Sequence, residues 1–312
     1  MYNHFGTNQH QKIEELTQTC PKFIDLTNDE HSKLILEAAS DLSNIYAKIS
    51  EIEKIEQQLI DKNDESLIFI LLALKIAKSR IQIGTIAKPI KISIVFAVYK
   101  EHNRIKKSFE HPHGEDFLRK KVSELEWLFK DLPNFKWKLI VVDDGCPADS
   151  GKIAQEIVDK DKLNDSVKVI FLKDAIKQGL APAQKMKSTG ESQKGGSIAF
   201  GMWYAAQHNN QDDHIIAYTD ADLSTHLGQI GLLLEPLINE NKSVTIGSRR
   251  ESNSIVIKKG TRNNRGKLFI YLWKRLIPNL GDIIDTQCGF KAFKSEVVTS
   301  IIEDLIEKKI CI

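Results

Sequence analysis

Apolar residues recur at three- and four-residue steps in the first third of the chain. They are Ile35, Ala38, Leu42, Ile45, Ile49, Ile52 and Leu59. This spacing predicts an amphipathic helix that breaks near residues 61–64, and a second helix is predicted from Ser66 to about Ile83. We expect a helical hairpin packed on the rest of the chain, after a loose polar arm over residues 1–26. The same apolar face leaves open self-association as a coiled-coil dimer.

From about residue 91, short apolar runs alternate with helical stretches. The predicted strands are 92–98, 137–142, 167–172 and 215–218, and the predicted helices are 115–130, 150–159 and 197–208. This order predicts an α/β fold, with a mostly parallel sheet flanked by helices and an N-terminal helical extension. We expect two domains, a helical region over residues 1–88 and an α/β domain over residues 89–312.

Polar residues follow the predicted strands at the points where the strands end. These segments are 99–101, 143–144 and 220–222, and a Lys-Gly-Gly run at 194–196 precedes a helix. In mostly parallel sheets, ligands bind beyond the carboxyl ends of the strands. We therefore expect the four segments to converge on one edge of the sheet.

Asp220 and Asp222 follow an apolar strand at positions i and i+2. Alternation along an extended chain sends both carboxylates to the same side. Hard oxygen ligands suit Mg²⁺ or Mn²⁺, and such an ion can bridge a diphosphate. The alternative is a strand-end turn whose aspartates bond their own backbone.

The other polar segments have two interpretations each. Asp143 or Asp144 could accept a hydrogen bond from a base or a ribose, or could cap the turn before Pro147. The run Lys194-Gly195-Gly196 could offer backbone N–H groups and a cation to an anion, or could be a flexible basic loop.

Composition and charge argue against several classes of protein. The formal net charge of +2 over 312 residues gives no global field for nucleic acid or an anionic membrane. The four cysteines form no C-x-x-C pair, which is typical of reduced thiols in a cytoplasmic protein. The N-terminus shows no signal-peptide pattern, and the longest apolar run, 67–74, is too short to span a bilayer.

A basic stretch at 249–275 adds a further alternative. It holds nine Lys and Arg residues against one Glu, with aromatic and aliphatic residues near its end. This pattern is typical of a helix that docks on a lipid phosphate or a membrane surface. A solvated basic loop followed by an ordinary amphipathic helix explains it equally well. Nucleic acid is disfavoured, because no recognised binding module surrounds the stretch.

Six segments of the α/β region occur in a distinctive order. They are 94–101 (IVFAVYKE), 140–149 (IVVDDGCPAD), 194–202 (KGGSIAFGM), 220–223 (DADL), 247–249 (GSR) and 285–293 (DTQCGFKAF). In this order they resemble the motifs of the family 2 glycosyltransferases of GT-A fold. The last two are most similar to the dolichyl-phosphate glucosyltransferase and mannosyltransferase branch. The resemblance covers roughly residues 90 to 300 and leaves the N-terminal helices unexplained.

The resemblance implies a GT-A (Rossmann-like) fold and an enzyme with Mg²⁺ or Mn²⁺ as cofactor. The implied reaction transfers a hexose, with inversion, from a nucleotide-diphosphate sugar of the UDP-glucose or GDP-mannose type. The implied acceptor is a phosphate or hydroxyl compound, either soluble or a polyprenyl or dolichyl phosphate. A lipid acceptor would require peripheral contact with a membrane surface.

The resemblance also implies roles for individual residues. The implied nucleotide-sugar contacts are Ala97, Tyr99, Glu101, Asp143, Asp144, Lys194 and Asp220. The implied metal ligands are Asp220 and Asp222, with Ser224 close to them. The implied catalytic residues are Arg249, facing the phosphates or the sugar, and Asp285, acting as a base or orienting the acceptor.

Two departures from the family pattern keep a second hypothesis open. Ala97 stands where the family has Pro, and Lys100 stands where it has Asn. An insertion over about 175–193 separates the third strand from the glycine pair, and it is a candidate lid or substrate-specific loop. The second hypothesis is a catalytically silent protein that binds a nucleotide sugar or acts as a scaffold.

Overall fold

The computed structural model describes residues 7–192, 194–207, 213–256, 271 and 274–304. Its first helices are α1 (Thr7–Thr19), α2 (Asp29–Ile45), α3 (Ile49–Asp61) and α4 (Ile68–Gly84). The predicted loose arm is wrong for residues 7–19, because α1 buries Ile13 and Leu16 against the other helices. The predicted single helix is two helices, because Tyr46 is extended and fully buried at the break.

The apolar face of the N-terminal helices is used within the chain. Ile35, Leu42, Ile52 and Leu59 are 4% exposed or less and lie in one core with Leu74 of α4. A coiled-coil dimer would need this face to be open. The self-association alternative therefore loses the surface on which it depended.

In the described part of the chain, six strands form one sheet. They are β1 (Ile90–Val98), β2 (Phe135–Asp143), β3 (Val167–Phe171), β4 (Asp213–Tyr218), β5 (Val244–Ile246) and β6 (Lys291–Lys294). Their order is β3-β2-β1-β4-β6-β5, and β6 alone runs antiparallel to its neighbours. Because β1 to β5 share one direction, the predicted mostly parallel sheet is confirmed.

Helices cover both faces of the sheet. They are α5 (Phe117–Phe129), α6 (Ser150–Lys160), α7 (Leu172–Gln178), α8 (Gly195–Gln207), α9 (Gly231–Asn239) and α10 (Ser295–Asp304). Side chains alternate along β1, so Ile94 and Phe96 pack with α5, α6 and α9. Val95 and Ala97 face the other way and pack with α7, α8 and α10.

The N-terminal helices dock on the α5 and α9 side of the sheet. The Trp127 indole of α5 donates to the Ser40 hydroxyl of α2 at 2.8 Å. The Arg80 guanidinium of α4 lies 4.7 Å from the Trp127 ring centroid. The Gly231 amide of α9 donates to the Ser79 hydroxyl of α4 at 2.9 Å. The predicted packing of helices on the α/β region is present, while the division into two domains at residue 88 stays a prediction.

No helix in the described part of the chain is both long enough and apolar enough to cross a membrane.

Close packing of α8 on the sheet gives a stability prediction. A Cβ at Gly201 would lie 2.4 Å from Val95 Cγ1 and 2.7 Å from Val142 Cγ2. Because branched side chains on a strand have little freedom to move, we expect Gly201→Ala to destabilise the fold by about 1–3 kcal/mol. Gly84→Ala is the matched control, since nothing lies within 4 Å of its Cβ position. Urea denaturation measures the free energy of unfolding of both variants, and an equal loss of stability in the two would contradict the prediction.

Candidate active site

The three central parallel strands end together at one edge of the sheet. Val98 of β1 pairs with Asp143 of β2, and Tyr218 of β4 pairs with Val95 of β1. The Asp144 amide then donates to the Val98 carbonyl at 3.2 Å. The loops that follow these strands therefore share one edge, as the sequence predicts.

Lys194 joins two of the acidic segments. Its amide donates to Asp144 Oδ2 at 2.9 Å, and the Ser197 hydroxyl donates to Asp144 Oδ1. The Lys194 ammonium forms an ion pair with Asp220 Oδ1. The segments after β2 and β4 and the loop before α8 thus meet in one cluster.

Asp222 is held by its own turn and lies near a guanidinium. The Ser224 amide donates to Asp222 Oδ1 at 3.1 Å, and Arg104 Nη2 lies 3.9 Å from Asp222 Oδ2. Burial acts to raise the pKa of Asp222, but hydrogen bonds from Ser224 and the charges of Arg104 and Lys121 outweigh it. The pKa of Asp222 therefore lies below its ordinary value, and the carboxylate is ionised at neutral pH.

A buried lysine lies behind the Asp222 turn, and the sequence pattern did not single it out. Lys121 of α5 has no exposed surface, donates to the Asp222 carbonyl at 2.9 Å and lies over the Phe96 ring. Glu124 of α5 accepts a hydrogen bond from the Leu227 amide of the same loop at 2.6 Å. The sequence did contain a sign of their role. Lys121 and Glu124 lie on the face of α5 where the helical period predicts buried apolar side chains, so charged residues there are unusual.

The loop after β1 carries an ion-pair network. Arg104 donates to Glu101 at 3.0 and 3.2 Å and to Glu115 at 2.8 and 2.9 Å. Burial raises the pKa of Glu101, and the charge of Arg104 opposes that shift. Tyr99 is 49% exposed, whereas Ala97 is only 9% exposed. Tyr99 is therefore accessible to a ligand on the side of the ring away from Lys100, whose Nζ lies 5.5 Å from the ring centroid, and Glu101 is already engaged by Arg104.

Asp143 is committed to the backbone of the turn that follows it. Its Oδ1 accepts from the Gly145 amide at 3.0 Å and the Cys146 amide at 3.3 Å, and its Oδ2 accepts from the Gly151 amide at 2.9 Å. Burial raises the pKa of Asp143, and these hydrogen bonds act against the shift. The geometry favours the turn-capping interpretation for Asp143 and leaves Asp144 to contact the loop before α8.

Backbone amides at the start of α8 donate hydrogen bonds within the protein. The Gly196 amide donates to the Ser192 carbonyl at 3.2 Å, and the Ser197 amide donates to the Ser192 hydroxyl at 2.9 Å. The Lys194 amide is bound to Asp144. The prediction that the Lys194-Gly195-Gly196 run offers its amides to an anion is therefore wrong for Lys194 and Gly196. The Lys194 side chain remains the candidate for an anion contact.

Arg249 and Asp285 bind each other. Arg249 Nε and Nη2 donate to Asp285 Oδ2 and Oδ1 at 2.7 and 2.8 Å, and the Arg249 amide donates at 3.1 Å. Burial acts to raise the pKa of Asp285, but Arg249 outweighs it and lowers the pKa. A carboxylate that is kept ionised and held through both oxygens is poorly placed to act as a base. The Arg249 side chain is half exposed, and the charge of Asp220 also acts on it.

Asp220 and Asp222 fit a metal that takes most of its ligands from elsewhere. Within the described ranges, no group of three or more His, Cys, Asp or Glu side chains could hold a metal ion. Mg²⁺ commonly binds one or two carboxylates and keeps water and substrate phosphates as its other ligands. The two side chains are 37% and 38% exposed. Gly289 leaves space for Asp220, since a Cβ there would lie 2.6 Å from Asp220 Oδ2.

The basic stretch at 249–275 is described only in part. Residues 257–270, 272 and 273 lie outside the described residues, so the docking helix proposed from their sequence does too. Within the stretch, Tyr271 is 59% exposed, and just after it Leu276 and Ile277 are 79% and 48% exposed.

Comparisons with known proteins add one relative in sequence. No family model matches the chain. It is 23% identical over 219 residues to glycosyltransferase AglD of Haloferax volcanii, which covers 70% of this chain and 29% of the relative. The chain therefore spans less than a third of that relative's length.

The solved structures compared are of glucosyl-3-phosphoglycerate synthase from Mycobacterium tuberculosis. A complex with Mn²⁺, UDP and phosphoglyceric acid is 17% identical and has a TM-score of 0.42, covering 72% of this chain and 61% of that one. A second structure of the same enzyme is 18% identical and has a TM-score of 0.40, covering 72% and 63%. At TM-scores this low, the structural similarity carries no conclusion about the donor or the acceptor of this chain.

Three observations concern the family that the chain resembles. The six motifs are in order, the strand ends carry them to one edge of a mostly parallel sheet, and the sequence relative is a glycosyltransferase. By motifs, sheet architecture and sequence relative, the chain is similar to the family 2 glycosyltransferases of GT-A fold.

Proposed function

We propose that the protein is a metal-dependent inverting glycosyltransferase. It transfers a hexose from a nucleotide-diphosphate sugar, of the UDP-glucose or GDP-mannose type, to a phosphate or hydroxyl acceptor. One observation carries the proposal: two half-exposed carboxylates, Asp220 and Asp222, lie at a sheet edge where two cations, Lys194 and Arg249, come from other segments. Acids and cations at one sheet edge suit a ligand with a diphosphate and a divalent ion.

The donor's nucleoside is assigned to the loops after β1 and β2. Tyr99 has the exposed ring that could stack on a base, and Glu101 with Arg104 shapes the loop beside it. Asp143 holds the turn in place, and Asp144 fixes the Lys194 backbone. Ala97 is the second-last residue of β1 and lies next to this region in sequence.

The diphosphate is assigned to the acid pair and its cations. Bound Mg²⁺ or Mn²⁺ would be held by Asp220 and Asp222 and would supply positive charge to the leaving diphosphate. Arg249 adds a fixed positive charge there, oriented by its two bonds to Asp285. Such preorganised charge helps most where negative charge develops in the transition state.

The acceptor is proposed as a compound that carries a phosphate. A phosphate oxygen is already ionised at neutral pH, so its attack needs little help from a base. A hydroxyl acceptor would need a base, and Asp285 is engaged by Arg249 on both oxygens. We therefore assign Asp285 to orienting Arg249, and leave lipid phosphate and soluble phosphate compounds as the two acceptor classes to compare.

A thermal-shift screen tests the donor proposal. We expect a matching nucleotide sugar with Mn²⁺ to raise the Tm by about 5 °C at a hundred times its Kd, because ligand binding stabilises the folded state. Chelation with EDTA should remove most of that shift. The panel contains UDP- and GDP-hexoses, with the free hexoses as controls.

The outcomes of the screen separate the two hypotheses from the sequence. If no nucleotide sugar shifts the Tm in Mn²⁺, the glycosyltransferase proposal is wrong. Binding without release of nucleoside diphosphate, in the presence of both lipid-phosphate and soluble phosphate acceptors, would favour the catalytically silent alternative.

A further inference from the structure

The Lys194 ammonium is ion-paired with Asp220, a carboxylate that the proposed function assigns to the metal. It pairs with Asp220 Oδ1, and the two side chains are 43% and 37% exposed. An ion pair with this much exposure typically changes an equilibrium constant by a factor of about five or less. The contact is therefore weak enough to be exchanged for a stronger one.

The Lys194 backbone is held by hydrogen bonds, while its side chain is partly exposed. The residue has a left-handed backbone with φ of +70°. Its amide donates to Asp144 Oδ2 at 2.9 Å, and its carbonyl accepts from the Ile198 amide of α8 at 2.9 Å. Lysine carries its charge on a flexible four-carbon stem. A change of partner by the ammonium therefore needs no change in these two backbone hydrogen bonds.

The surroundings of Asp220 explain why a cation rests there in the ligand-free protein. Asp222 follows two residues later, and like charges close together repel. Arg249 is turned toward Asp285, and Arg104 is shared between Glu101 and Glu115. Of these three cations, Lys194 is the one whose ammonium bonds Asp220 directly.

We propose that Lys194 is an exchangeable cation, which neutralises Asp220 in the empty site and transfers to the donor's diphosphate when Asp220 takes a divalent ion. The inference rests on the proposed function and deepens it. A diphosphate offers the ammonium more negative charge than one carboxylate does. Nucleotide binding therefore removes the competitor of the metal, and the two ligands increase each other's affinity by the same factor.

The test measures Mn²⁺ binding without any turnover. Free Mn²⁺ is counted by electron paramagnetic resonance during titration of the wild type and of Lys194→Met, each alone and with saturating UDP. We expect Lys194→Met alone to bind Mn²⁺ about fivefold more tightly, because the competing ammonium is gone. We expect the factor by which UDP increases Mn²⁺ affinity to fall by a similar amount in the variant.

Lys185→Met is the matched control, since Lys185 is an exposed lysine in the same loop. It removes the same charge and should leave both Mn²⁺ affinities unchanged. If Lys194→Met alone binds Mn²⁺ no more tightly than the wild type, or if UDP enhances Mn²⁺ binding equally in both, the exchange inference is wrong. If the wild type binds no Mn²⁺ even with UDP or GDP, the proposed function fails and the inference with it.

Discussion

Asp222→Ala is expected to lower the rate of sugar transfer by about 10³-fold or more, because it removes one of the two carboxylates assigned to the metal. The carboxylate is ionised at neutral pH, since the Ser224 hydrogen bonds and nearby cations outweigh its burial. The fold should tolerate the change, because the side chain is 38% exposed and the Lys121 ammonium bonds the Asp222 carbonyl, which alanine keeps. Release of nucleoside diphosphate from the donor chosen by thermal shift measures the rate.

Asp165→Ala is the matched control for the loss of an acid. Asp165 is exposed in the turn before β3, at the opposite edge of the sheet. It should leave both the rate and the Tm unchanged. A transfer rate within tenfold of the wild type in Asp222→Ala, with Mn²⁺ present, would contradict the assignment of Asp222 to the metal.

Arg249→Met is expected to lower kcat by about 10²- to 10³-fold, the usual cost of losing one preorganised charge on a leaving group. Arg249→Lys should recover little of this, because an ammonium cannot reproduce the two parallel bonds to Asp285. The Tm of each variant is measured as well, since loss of the guanidinium leaves the buried Asp285 carboxylate with backbone amide partners but without its cation.

A double-mutant cycle decides how Asp285 acts. If Asp285 acts by orienting Arg249, Asp285→Asn lowers kcat only slightly in a chain that already carries Arg249→Met. The two losses of kcat are then strongly non-additive. Lys160→Met, at the exposed C-terminal end of α6, is the control for removing a cation. Additive losses in the cycle would instead favour an independent role for Asp285, such as a base for a hydroxyl acceptor.

The N-terminal helices show the limit of local periodicity. The pattern at 35–59 predicts helix correctly, because spacing at three and four residues reports a buried face. It does not report the break at Tyr46, which the tertiary core creates by burying that ring fully. It also missed α1, whose apolar residues Ile13 and Leu16 gain their burial only from the helices around them.

The candidate site shows the same limit for charges. The sequence predicted that Asp144, Asp220 and Asp222 share one sheet edge, because polar residues at the ends of parallel strands lie together there, and it placed Lys194 in the loop before a helix. It left Asp143 open between a ligand contact and a turn cap and proposed Asp285 as a base or acceptor-orienting residue, whereas the fold uses their oxygens for backbone amides and for Arg249. The number of free oxygens on an acid depends on neighbours that lie far away in sequence.

The sequence by itself determined the alternation of strands and helices, the sheet edge at which the acids lie, and the family that the motifs resemble. Periodicity and strand-end position are local properties, so they can be read along the chain. Only the tertiary structure decided which charges pair. Lys194 and Asp220 are 26 residues apart and Arg249 and Asp285 are 36 apart, so their contacts exist only after the sheet has brought the loops together.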